Sequence, residues 1–455
     1  APPAWTWHHP DGRYNAVIVG GPRVDSRGNI YVATDASVRK FSPDGSPLWV
    51  HSLPRKELIF WTTALGDGAL FGTKLGVEGG GGSTSAFALD LDTGRALWTR
   101  DMELFSVSNS FVESYGGTVF LAAGRARDSA KGAGSHVLAL NGSDGGTLWE
   151  FSQSSHLWTF APSFPGDGTM VFTDLYGGVY RLRADDGSLV WHVPGFEDSE
   201  THGNGGSTVG PQGSVVYTCS LSSRFHDPLS ARYGRHIGVV RAYRVSDGGK
   251  LWENLLPGGC VGFPAISPDG HFGVVPVGYN PQEPAMNKLS ERISWRWRRR
   301  LHWLAERLGL TARSVPFPVQ QWLMRLGVVE PCQAWQPTPP IQTALWAFDP
   351  LTGDRKWQFE PPRFEQLASV GDSEGLFDRV ANEGRDRCQA LPWSAPTLDA
   401  GGVVTVGNIN GQVYQLKDYD GDGRIGAGEV AAFDAGASFL HSGAALAPGM
   451  LAIAS

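Results

Sequence analysis

The residues most able to do chemistry lie in one short run, Asp418-Tyr-Asp420-Gly-Asp422-Gly423-Arg424-Ile425-Gly426-Ala-Gly-Glu429. Calcium is a hard cation that takes six to eight oxygen ligands, and a twelve-residue loop can supply them from positions one, three, five, seven and twelve. Here those positions are Asp418, Asp420 and Asp422 through their carboxylates, Arg424 through its backbone carbonyl, and Glu429 through both carboxylate oxygens. Gly423 stands where such a loop turns sharply, and Gly426 at position nine leaves room for a water. The spacing therefore predicts a Ca2+ site at 418–429 with an EF-hand-like loop. The flanks differ from an EF-hand, because a strand rather than a helix precedes the loop and no second loop pairs with it. An Asp/Gly-rich turn without an ion is the bland alternative.

A second run is chemically distinct. Residues 288–308 carry Lys288 and six Arg against Glu291 and Glu306, a local balance of +5. Leu289, Ile293, Trp297, Leu301, Leu304 and Leu308 recur at three- and four-residue spacing, the signature of an apolar helical stripe. A basic amphipathic helix with Trp at its edges suits docking on an acidic protein partner or an anionic membrane surface. The alternative is a helix packed on the chain's own acidic body. A short helix near Gln320–Leu326 would return the chain, which makes 281–340 a helical, basic insertion.

Four cysteines, Cys219, Cys260, Cys332 and Cys388, have no Cys-x-x-Cys spacing, which speaks against zinc and thioredoxin-like chemistry. Two disulfides are the better reading, and of three pairings Cys219–Cys260 with Cys332–Cys388 joins neighbouring repeats or their connectors. Four buried thiols are the alternative. Asn141-Gly-Ser143, the His8-His9 pair and the four-glycine run 79–82 are read as incidental turn and connector features.

These groups need a frame. Sixty Gly, thirty Pro and seventeen Trp with only 18% charged residues describe many short strands joined by tight turns. A formal charge of −7 argues against nucleic acid as a partner, since phosphate binding needs a basic surface. No apolar run is long enough to cross a bilayer. The start Ala-Pro-Pro-Ala suits a chain whose targeting segment has been removed, and with the disulfides it places the protein outside the cytosol: periplasm, organelle lumen or secreted, soluble or peripheral to a membrane.

The frame is legible as a repeat. Gly precedes Trp by four residues at Gly45/Trp49, Gly94/Trp98, Gly145/Trp149, Gly187/Trp191, Gly248/Trp252 and Gly353/Trp357. The Gly supplies the φ > 0 position of a hairpin, and the Trp follows in the returning strand. Short apolar strands such as Val137-Leu-Ala-Leu140 and Leu345-Trp-Ala-Phe348 precede each turn, and a further hairpin, such as Asp167-Gly-Thr-Met-Val-Phe172, lies upstream. Four strands per unit is a propeller blade, which buries its faces only by stacking on neighbours. Residues 393–436 repeat the pattern with Phe433 in place of Trp, and 442–454 supply the first strands of a last unit. The missing outer strand is expected from Ala4-Trp-Thr-Trp7. The prediction is one all-β domain over 1–455, an eight-bladed propeller with seven blades as the alternative, and a short helical insertion in the sixth repeat.

The segments Ala88-Leu-Asp-Leu-Asp-Thr-Gly-Arg-Ala-Leu-Trp98 and Ala347-Phe-Asp-Pro-Leu-Thr-Gly-Asp-Arg-Lys-Trp357 resemble the repeat of quinoprotein propellers of the pyrroloquinoline quinone (PQQ) type. That family holds calcium- and quinone-dependent alcohol dehydrogenases, and also cofactor-free propellers such as the scaffold lipoprotein of bacterial outer-membrane assembly. The dehydrogenases usually carry two adjacent cysteines against the quinone, and this sequence has no Cys-Cys pair. PQQ is therefore a cofactor the resemblance admits but the residues do not favour, and no catalytic residue is assigned. A non-enzymatic, calcium-binding scaffold or subunit of a membrane-associated assembly is the leading expectation; a PQQ-dependent oxidoreductase is the second.

Overall fold

The computed structural model describes residues 3–10, 12, 18, 20–54, 57–59, 62–76, 84–102, 105–106, 111–125, 135–153, 155, 157, 160–195, 201–222, 237–260, 262–278, 300, 307, 342–365, 369–371, 392–439 and 443–455. Within them every named element is a β-strand except one 3-10 turn at Ala427–Glu429. The strands form seven antiparallel sheets of three to five strands and one two-stranded hairpin. Inner strands of successive sheets lie side by side, so the sheets stack as blades around an axis.

The first blade shows the plan: Arg23–Val24, Ile30–Ala33, Ser37–Phe41 and Pro47–Ser52 pair in chain order from the axis outward. The third strands are closed in on both faces, as in Ala344–Phe348, where every residue is buried. Outer strands such as Ala96–Asp101 and Thr147–Ser152 alternate exposed with half-buried residues, because only one face meets the next blade. The six repeat glycines adopt φ between 69° and 87°, where a Cβ would be strained.

Each repeat Trp acts across a seam. Trp49, Trp98, Trp149, Trp191 and Trp252 donate their indole N–H to the carbonyls of Leu91, Gly142, Ala184, Val245 and Pro350 at 2.8–3.1 Å. Every acceptor stands three residues before the next blade's turn glycine. The ring also covers that glycine: a Cβ on Gly94 would lie 2.7 Å from the Trp49 ring. Glycine is thus required twice, by its backbone angle and by the indole laid over it.

One expectation changes. Seven full sheets are present, and the unit expected to make an eighth blade contributes among the described residues only the hairpin Ala445–Ala447 and Met450–Ala452. Residues 4–7, expected as its outer strand, pair with no strand there. The fold is thus an all-β propeller of seven blades plus a hairpin, because the last sequence unit has too few paired strands to make a sheet of its own. The helical insertion lies largely beyond the structural description: the basic run 288–308 and the Gln320–Leu326 helix lie outside the described residues except for Arg300 and Arg307, both exposed and both in helical conformation.

Candidate metal centre

The 418–429 loop joins the third strand of the seventh blade, Gln412–Leu416, to its outer strand, Val430–Asp434. It replaces the short Gly-containing hairpin used elsewhere. Its role in packing is nevertheless the same. A Cβ on Gly423, at φ +78°, would lie 3.0 Å from the Lys356 carbonyl of the sixth blade, and Ile425 packs on the cluster that holds Trp357, Trp393 and Val404. The loop is therefore part of the seam between blades six and seven.

Three of the predicted ligands come together. Carboxylate oxygens of Asp418, Asp420 and Asp422 all lie within 4.8 Å of one another. Backbone amides fix them: Asp418 accepts from Gly421 at 2.7 Å and from Gly423 at 3.1 Å, Asp420 from Asp422 at 3.1 Å, and Asp422 from Arg424 at 2.8 Å. Glu429 reaches back over the same loop, accepting from the Gly426 amide at 2.8 Å and the Tyr419 amide at 2.6 Å. Those donors hold its carboxyl below the usual range, and so keep it ionised. Hard, anionic oxygens gathered on one turn with a glycine at its bend form a donor set that fits calcium. Asp420, Asp422 and Arg424 are exposed and Asp418 and Glu429 half-buried, which leaves an ion free access.

The propeller axis has a different character. Arg23, on the innermost strand of the first blade, lies 3.6 Å from Glu113, on the innermost strand of the third. Burial pushes the Glu113 carboxyl up, and Arg23 partly offsets this. The Arg23 Nε also donates to the Thr63 carbonyl at 2.7 Å, on the blade between. The pair was not legible in the sequence, because ninety residues and no motif separate its members.

A quinone held with calcium on that axis needs several carboxylate and amide oxygens facing one ion. Among the described residues, carboxylates that could gather on an ion are found only at Asp418, Asp420 and Asp422, and the axial Glu113 is already matched by a guanidinium. The described residues do not fit the cofactor, and no step is derived through it. Cys219 and Cys260 form the expected disulfide, with Cα atoms 5.8 Å apart, between the second strand of the fifth blade, Val215–Ser222, and the segment after its outer strand, Lys250–Leu256. Cys332 and Cys388 lie outside the described residues.

Comparison with known proteins gives a consistent picture. A family model described as outer membrane protein assembly factor BamB, of PQQ-repeat type, matches residues 34–274. No curated protein matches in sequence. In structure, the chain is similar to BamB from Moraxella catarrhalis, with a TM-score of 0.54 at 12% identity, over 97% of this chain and 95% of that one. It is also similar to the quinohemoprotein alcohol dehydrogenase of Comamonas testosteroni, with a TM-score of 0.54 at 11% identity, over 95% of this chain and 69% of that one. The corresponding enzyme ADHIIG of Pseudomonas putida HK5 gives 0.55 at 12% identity, over 96% and 69%. At these identities the likeness is one of fold.

Proposed function

We propose that this chain, which belongs to the PQQ-repeat propeller family of the outer membrane protein assembly factor BamB, is a non-enzymatic, calcium-binding scaffold subunit of a larger membrane-associated assembly outside the cytosol. The family match over 34–274 carries this reading. Two further observations favour it over a dehydrogenase. The sequence has no adjacent cysteines. The axial Glu113 is charge-matched by Arg23. The Cys219–Cys260 disulfide suits an oxidising compartment.

In this reading the 418–429 loop binds Ca2+ and pins the seam between blades six and seven, and the basic residues of 288–308 supply contact with an acidic partner or an anionic surface. Near-surface Arg contribute about 1 kcal/mol each to such a surface, an attraction that salt screens. The test against the enzyme reading is reconstitution of purified protein with quinone and calcium. The scaffold reading expects no retained chromophore and no dye reduction. A stoichiometric quinone absorbance with dye reduction would reverse it.

A further inference from the structure

Each first strand enters its blade at the inner edge and pairs there with the second strand. The residue two places before that pair occupies an equivalent position in every blade. In the third blade Glu113 pairs with Phe120, and the residue two before it is Phe111. In the sixth Ala265 pairs with Val274, and the corresponding residue is Phe263. In the first, second, fourth, fifth and seventh blades the same position holds Gly21, Thr62, Ala161, Gly206 and Ala395. Small residues and two large rings thus share one register position of the inner edge.

The rings stand where the small residues leave room. Phe111 and Phe263 lie edge to face with centroids 5.6 Å apart, although the fourth and fifth blades separate them in the chain. Phe111 donates its backbone N–H to the Phe160 carbonyl at 2.9 Å, at the entry to the fourth blade, and Ala161 bridges Gly206 at the entry to the fifth. Gly206 in turn lies beneath Phe263, where a Cβ would be 1.6 Å from the ring. Blades three to six are therefore joined in a closed circuit of contacts that begins and ends at Phe111. Phe111 is buried and Phe263 half-buried. The connector that carries Phe263 is fixed just ahead of the ring: a disulfide ties Cys260 to Cys219, the Gly259 carbonyl accepts from the Gly278 amide at 2.8 Å, and a Cβ on Gly262 would lie 2.5 Å from Pro276.

We infer that Phe111 and Phe263 are a built-in plug: the chain's own rings take the place at the inner edge of the propeller that a planar ligand on the axis would need, and the Cys219–Cys260 disulfide holds one of them there. A planar ligand requires an open approach and apolar surfaces to lie on. Here the chain supplies the rings itself, and a glycine floor beneath one of them. Gly206 lies outside the left-handed region, so the ring above it, and not its backbone angle, excludes a side chain. The same geometry makes the place a latent site. With Phe263 cut back to Ala, the vacated space is apolar, bordered by Phe111, and suits a benzene-sized ligand. The plug adds a steric reason to the misfit of the quinone, and it does not depend on the scaffold reading.

The test is a double-mutant cycle on the full chain. Gly206→Ala drives a methyl group into the Phe263 ring and should lower the melting temperature by about 1–3 °C. In a Phe263→Ala background the same change should leave the melting temperature unchanged or higher, because the ring is gone. Benzene should raise the melting temperature of Phe263→Ala and leave that of the parent unchanged. If Phe263→Ala does not fold, Phe263→Leu takes its place in the cycle and should remove most of the Gly206→Ala loss. A Gly206→Ala loss equal in both backgrounds, no loss in either, or a benzene response shared by parent and variant or missing from both overturns the plug and leaves the scaffold reading untouched. Quinone retained by the parent chain would overturn both.

Discussion

At the residue scale, the seam tryptophans combine three effects in one side chain: apolar burial, an indole hydrogen bond, and cover over a glycine that can be nothing else. Trp98 is representative. It packs against the cluster containing Phe71, Ala88 and Leu138, donates to the Gly142 carbonyl, and lies over Gly145. Trp98→Ala should cost about 3–5 kcal/mol, measured as a shift in the denaturation midpoint. A loss below about 0.5 kcal/mol would be that of a surface site and would remove Trp98 from the seam. The axial Glu113 makes a prediction of opposite sign. Its folded pKa is raised by burial, so between the ordinary Glu value and the raised one the folded state holds the extra proton, and stability falls as pH rises through that window. Glu113→Gln should flatten this dependence in melting curves recorded from pH 4 to pH 8. An unchanged slope would place the titration elsewhere.

At the element scale, the 418–429 loop and the six hairpins are alternative solutions to one problem: how a third strand returns as an outer strand while touching the preceding blade. The hairpins do it with a glycine beneath an indole, and the loop with Gly423 against the Lys356 carbonyl and Ile425 in the core. Calorimetry should detect one calcium per chain in the parent and none in Glu429→Ala. If the parent takes up no calcium at millimolar concentration, the loop is only a turn. Much of this level was legible in the sequence, because Gly–x–x–x–Trp and the Asp-x-Asp-x-Asp spacing are local and local spacing fixes local geometry. The partner carbonyl of each indole is also implicit, three residues before the following glycine, but only once blades are known to stack in order. Phe433 shows the limit. It stands where Trp is expected, yet it is 40% exposed, because its surroundings are set by the next unit rather than by its own strand.

At the scale of the whole molecule, the ring is closed by parts far apart in sequence, and here sequence reading was weakest. The repeat count pointed to eight because the last unit begins like the others. Seven sheets and a hairpin result, since a blade requires paired strands and not only the start of a repeat. The Arg23–Glu113 contact carries no sequence signature either, because it joins innermost strands of the first and third blades that are ninety residues apart. The basic run 288–308 belongs to this scale as well. Replacing Arg296, Arg298, Arg299 and Arg300 with Gln should release the protein from its native complex or membrane fraction with its melting temperature nearly unchanged. Retained association at normal stability would exclude the run as the docking element, and lost stability would assign it to the propeller's own packing. The central claim, that the propeller is a scaffold, is met most directly by isolating the protein under mild conditions from its native source and measuring the mass of the particle that contains it. The account predicts an assembly far heavier than one chain, with a second polypeptide in fixed proportion; a single chain without a partner, active as a quinone-dependent dehydrogenase, would contradict it.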